Sequence, residues 1–170
     1  MTQPPTYSTP CPVPAEQQPL NEYQELRQSW FFGLALFPFP RLLRPLLGVW
    51  LFSWVIAGPI AAASFVPRYH VAKFLLTSST GACLPVLLVL VQLYLGWRYV
   101  GDRLAQPAIC YEESGWFDGQ IWQKPAEILT RDRLIFTYEI RPILRRLEQL
   151  LALGLVVIMG GAISWPLLPA

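Results

Sequence analysis

Three stretches of this chain contain no Asp, Glu, Lys or Arg: residues 45–67, 74–97 and 149–170, of 23, 24 and 22 residues. A helix of 23 residues is about 35 Å long, and the hydrocarbon core of a bilayer is about 30 Å thick. Each gap is long enough to cross. A water-soluble fold would have to bury three such helices with only about 100 other residues, too few to cover them. The chain is 14% charged, against about 25% in an ordinary soluble domain, and the deficit lies in these gaps. The fold class that follows is a membrane all-α protein with three transmembrane helices. A small cytoplasmic or stromal α+β module, a hairpin plus a helix, lies between spans two and three.

The gaps divide the chain. Residues 1–27 form an arm with prolines at 4, 5, 10, 12, 14 and 19, which disfavour helix, followed by a short helix that Asn21 is placed to cap. Residues 28–41 include the uncharged run QSWFFGLALFPFP, too short to span and suited to the headgroup level. Span one covers 45–67, a short loop 68–73, span two 74–97, the polar module 98–146 and span three 149–170. Within 98–146, AICYEE and GQIWQK flank a Ser-Gly-Trp-Phe-Asp cluster and read as a β-hairpin. A helix beginning at Pro125 follows, and Pro142 is placed to kink or interrupt it.

Three spans put the arm and the 98–146 module on one side. Near the membrane that side carries Arg41, Arg44, Arg98, Arg103, Arg141, Arg145 and Arg146, whereas the other carries Arg68 and Lys73. The excess of basic residues assigns the arm and module to the cytoplasm or stroma and the C-terminus to the opposite face. Trp97 and Trp165 fall near opposite interfaces; Trp50 and Trp54 lie deeper, against lipid or a neighbouring helix. Small residues four apart, Ala57 with Ala61, Gly58 with Ala62 and Gly160 with Ser164, mark faces for helix–helix contact. Gln92, an amide deep in span two, is placed for an interhelical hydrogen bond. Pro59 is placed to kink span one.

Catalytic signals are sparse. His70 is the single histidine, and Cys11, Cys83 and Cys110 have no metal-ligand spacing. The sequence points to no cofactor and no metal. The 98–146 segment balances eight basic against seven acidic residues, so nucleic acid is not an expected partner. The partners implied are the lipid bilayer and a membrane protein or complex. The residues singled out as an interaction surface are Tyr111, Glu112, Glu113, Trp116, Phe117, Asp118 and Trp122, because a small polar module has little capacity to bury three large rings by itself. The competing reading is a membrane-bound enzyme or a handler of a cofactor, pigment, quinone or lipid, using Cys110, Tyr111, Glu112, Glu113 and Asp118 at the interface. Transport is disfavoured, because the spans hold no ionisable residue to line a pathway.

Two blocks, CPVPAEQQPLNEYQELRQSWFF (Cys11–Phe32) and YEESGWFDGQIWQKPAEILTRDRLIFTYEIRPILRRL (Tyr111–Leu147), resemble the signatures of the Conserved in the Green Lineage and Diatoms membrane family of cyanobacteria, algae and plants. That family is also known as an open reading frame of some algal plastid genomes. The resemblance implies a thylakoid or plastid membrane protein connected with photosynthetic physiology, and supplies no catalytic residues to carry over. A serine-rich, basic, acid-poor leader does not precede the first block, which suits a cyanobacterial or plastid-encoded protein. The function implied is that of a thylakoid-type accessory protein that assists the assembly or maintenance of a photosynthetic membrane complex.

Overall fold

The computed structural model describes residues 13–111 and 120–167. Three long helices dominate it. Helix α1 (Pro19–Gln28) belongs to the arm; α2 (Phe39–Ser64) and α3 (Val71–Ala105) contain the first two charge-free runs. Strands β1 (Ala108–Tyr111) and β2 (Gln120–Gln123) pair antiparallel, Ala108 opposite Gln123 and Tyr111 opposite Gln120. Helix α4 (Ala126–Ile135) continues through a π-helical turn, Phe136–Ile140, into α5 (Arg141–Ser164). The chain thus has three helices long and apolar enough to span a membrane, with a hairpin module between the second and third.

The lipid-facing surface confirms the class. Leu47, Leu51, Phe52, Val55, Ile56 and Ile60 are exposed along α2, Leu84, Leu88 and Leu95 along α3, and Leu153, Val156, Met159 and Ile163 along α5. In water such a belt would drive aggregation; in a bilayer it is the ordinary boundary. Each helix also runs beyond its charge-free stretch. α2 starts at Phe39, after Pro38 and with Pro40 in its first turn, and α3 continues past Arg98 to Ala105.

Helix α3 is central, with α2 on one flank and α5 on another. Against α2 the close approach lies at Gly81, where an added Cβ would stand 3.5 Å from the Ala57 methyl; Ser53, Gly58, Ala61, Ser78 and Ala82 are buried nearby in the same two helices. Against α5, added Cβ atoms at Gly154 and Gly161 would come within 2.5 Å of Leu87 and 2.6 Å of Thr80. Gly160, singled out above, has nothing within 4 Å of such an atom. The face of α5 that meets α3 is therefore one residue further round. Ser164 turns back to its own helix, donating to the Gly161 carbonyl at 3.1 Å, and Ala62 is half-buried. Gln92 stands exposed on α3 with no hydrogen-bond partner among the described residues. Among the described residues it makes no interhelical bond. At the far end Phe65 and Trp165 pack edge to face at 4.8 Å, joining the ends of α2 and α5.

α2 runs through Pro45 and Pro59, and α3 through Pro85. Ahead of Pro142 the regular α-helix is interrupted, while the rod continues. The Pro142 ring would crowd the carbonyl four residues back, and the chain answers just before it with a wider turn, in which the Arg141 N–H reaches the Phe136 carbonyl. Helix α4 starts at Ala126, with Pro125 as its N-cap residue. Asn21 lies inside α1, which begins at Pro19; its amide donates to the Ala15 carbonyl at 2.8 Å instead of capping.

Candidate functional site

The charged end of the bundle carries a platform assembled from α1, the 3-10 turn Phe32–Leu36, the last turns of α3, the hairpin and α4. Its interior is organised around Trp97, which is fully buried. Its indole N–H donates to the Phe32 carbonyl at 3.1 Å, and its ring meets Tyr23 edge to face at 6.1 Å. The interface ring expected from sequence is therefore the centre of the core, covered by the arm. Gly96 admits the Phe32 ring, and Gly101 lets Phe136 and Ile140 approach to where a Cβ would stand at 3.1 Å. Larger side chains at these two positions would push off the 3-10 turn and the π turn respectively.

Lys124 fastens the hairpin to α3. Its side chain is 0% exposed and its ammonium donates to the Asp132 carboxylate at 2.9 Å and to the Arg103 and Leu104 carbonyls, both at 3.1 Å. Those carbonyls belong to the last turn of α3, where helical partners run out. One cation thus closes a helix end and neutralises a buried carboxylate of α4. Arg131 also reaches Asp132, at 3.2 Å. The backbone N–H of Lys124 donates to Pro107 at 2.9 Å, closing the hairpin base.

Arg103 fastens the arm. Its guanidinium donates to Glu22, to the Gln17 carbonyl at 3.0 Å and to the Tyr99 hydroxyl at 3.1 Å. The second Glu22 oxygen is buried without a partner among the described residues. Burial pushes the Glu22 carboxyl above its ordinary range, Arg103 pulls it back in part, and Glu25 adds to the rise. The Tyr23 hydroxyl donates to Glu139 on the π turn. Burial, then that hydrogen bond and charge, pushes the phenol upward. Val13 packs on Ile109 and Tyr111 with Trp122 against them, so the start of the described arm also seats on the hairpin.

The expected interaction residues separate. Tyr111 is buried and donates to Gln120 at 2.8 Å, and Trp122 is half-buried against Val13. These two rings serve the hairpin's own core. Glu112, Glu113, Trp116, Phe117 and Asp118 lie outside the described residues, as does Cys11. Cys110 is exposed on β1 and Cys83 half-buried within α3. His70 precedes α3 as its N-cap residue. Among the described residues no three His, Cys, Asp or Glu side chains converge on one point. Outward apolar groups among the platform's described residues include Ile121, Leu134 and Tyr138, the last two one turn apart on the third helix, besides Trp30, Leu36 and Tyr99.

Sequence comparison matches residues 11–153 to the family described as CGLD27-like, Conserved in the green lineage and diatoms 27. The chain belongs to this family. It is 44% identical over 146 residues to the chloroplastic protein Conserved in the Green Lineage and Diatoms 27 of Arabidopsis thaliana, covering 85% of this chain and 44% of that one. It is 39% identical over 154 residues to uncharacterized protein ycf36 of Pyropia yezoensis, covering 91% and 93%, and 39% identical to ycf36 of Cyanophora paradoxa over 89% and 94%. The chain spans less than half of the Arabidopsis protein and nearly all of the two ycf36 proteins. No solved structure matches it.

Two functional elements were hidden from sequence reasoning. Lys124 counted there as one solvated charge among the fifteen of 98–146, and Arg103 as one of the membrane-proximal arginines. Lys124 immediately before a helix-starting Pro was the available signal, because it places a flexible cation beside a chain end.

Proposed function

We propose that this protein is a non-enzymatic accessory protein of a thylakoid-type membrane. It displays its platform on the cytoplasmic or stromal side to a photosynthetic membrane complex or an assembly intermediate of one. The observation that carries the reading is the combination of bracing and exposure at the charged end. Lys124 and Arg103 tie the hairpin, α4 and the arm to the central helix, while Ile121, Leu134 and Tyr138 stay 67, 53 and 75% exposed on the outside. A braced surface bearing isolated apolar anchors suits recognition of another protein, since little ordering entropy is lost on binding.

Two observations support the proposed side and membrane. Seven basic residues flank the spans on the platform side against two on the other, and the Arabidopsis relative is chloroplastic by name. The C-terminus accordingly faces the lumen. The test is crosslinking in intact cells from a tag on the arm, followed by mild detergent purification. Recovery of a defined membrane complex, weakened by Leu134→Glu with Tyr138→Glu, supports the reading. Recovery of the chain alone, or of the same proteins with the double variant, overturns it.

A further inference from the structure

We propose that the cleft between α3 and α5 at the charged end of the bundle holds the headgroup of a lipid bearing a single negative charge. The cleft has a volume of about 360 Å³ and is lined by Tyr94, Arg98 and Asp102 from α3 and by Arg141, Arg145 and Glu148 from α5. Three guanidinium groups therefore face two carboxylates. Both carboxylates are engaged: Asp102 lies 3.7 Å from Arg98, and Glu148 accepts from the Tyr94 hydroxyl at 3.1 Å. Arg98 is also held in place, donating to Tyr94 at 3.0 Å. Arg141 and Arg145, one turn apart and exposed, have no carboxylate partner among the described residues. The surplus is one positive charge, carried by two forks suited to the oxygens of a phosphodiester or sulfonate.

Depth selects a lipid as the source of that anion. Arg98 is the first charge after the second span, and Arg145, Arg146 and Glu148 are the last three charged residues before the third charge-free run. The cleft thus lies at headgroup level, where basic pockets between helices recognise anionic lipids. Its polar rim passes directly into apolar surface. One turn inward from Tyr94 is Val91, 39% exposed, and two turns inward from Glu148 is Leu155, 56% exposed. Acyl chains running down these residues would continue from a headgroup in the cleft.

Native mass spectrometry of the full chain released from detergent micelles tests this, with phosphatidylglycerol, phosphatidylcholine or inorganic phosphate added in turn. One phosphatidylglycerol is retained with a preference of at least about tenfold over phosphatidylcholine, as two arginines at a membrane surface would supply. Arg141→Gln with Arg145→Gln removes the preference, whereas Arg133→Gln, an exposed arginine on α4, leaves it. Glu148→Gln raises retention, a gain that a damaged fold would not produce. Equal retention of the two lipids, or an Arg133→Gln loss as large as that of the double variant, overturns the proposal. So does displacement of the lipid by millimolar inorganic phosphate, which would mark a site for free anions.

Discussion

The two halves of the molecule are held together by different chemistry. In the membrane half, α3 meets its neighbours where Gly81, Gly154 and Gly161 let helices approach, and a 3.4 Å bond from the Trp50 indole to the Ser79 carbonyl links α2 to α3. In the platform, a buried ion pair, an arginine fork, a buried tryptophan and the Tyr23–Glu139 bond join segments up to 116 residues apart in sequence. Lipid gives apolar side chains no reason to leave it, so helices associate there by close packing. Water expels apolar surface and competes for every polar group, so the platform needs both a core and directional bonds shielded inside it.

The comparison is broken most severely at Lys124. Lys124→Met strands the Asp132 carboxylate and two helix-end carbonyls, and should cost about 3–5 kcal/mol. Hydrogen exchange should show the hairpin and α4 released while the spans stay protected. Adding Asp132→Leu should recover much of the loss, because the stranded charge is then gone.

Next comes the membrane half. Gly161→Val drives two methyl groups toward Thr80 and should loosen α5 from α3 by about 1–3 kcal/mol. Its effect would appear as weaker disulfide trapping between cysteines introduced at Leu87 and Gly154, which face each other across α3 and α5, with no change in platform exchange. Loss of platform protection in this variant would show that the halves are coupled.

Tyr23→Phe keeps the ring against Trp97 and deletes the bond to Glu139, an expected loss of about 1–3 kcal/mol seen as faster proteolysis within the arm. The pH dependence has a defined sign. Tyr23 and Glu22 both have raised pKa values in the folded protein, so each favours the fold in its protonated form. Their contributions are complete below the ordinary values, 4.5 for Glu22 and 10.0 for Tyr23, and are lost as pH rises through the folded ones. Arm cleavage should accelerate above pH 10 in the native chain, and Tyr23→Phe should remove that step. Smallest of all, Arg27→Gln removes an exposed 3.9 Å pair with Glu139 and should change stability by less than about 1 kcal/mol.

The architecture was legible where one dimension of information suffices. A charge-free run has a length, a helix has a rise, and a bilayer has a thickness; three spans follow. The hairpin was legible from alternation around a turn cluster. What depended on helix rotation was less so: spacing of four singles out Gly160 with Ser164, and only the packed arrangement selects the adjacent Gly161. Trp97 ends the second charge-free run and looks like an interface ring, since nothing local reveals that Tyr23, 74 positions earlier in the sequence, will close over it. Lys124 was invisible for the same reason, as its partners lie at 103, 104 and 132.

The π turn at 136–140 works as a phase adjuster between the two halves. A residue in a regular helix turns the chain by about 100°, and a π turn absorbs roughly one extra residue within a continuous rod. Winding the same residues at the regular α-helical pitch would leave an unbroken helix that still spans the membrane, yet would rotate α4 by about 100° relative to α5. Asp132 would swing away from Lys124, and Glu139 from Tyr23. The alignment of platform and anchor is thus written in the width of a single turn, and a chain in which that turn closed to regular pitch would insert correctly with its platform facing the wrong way.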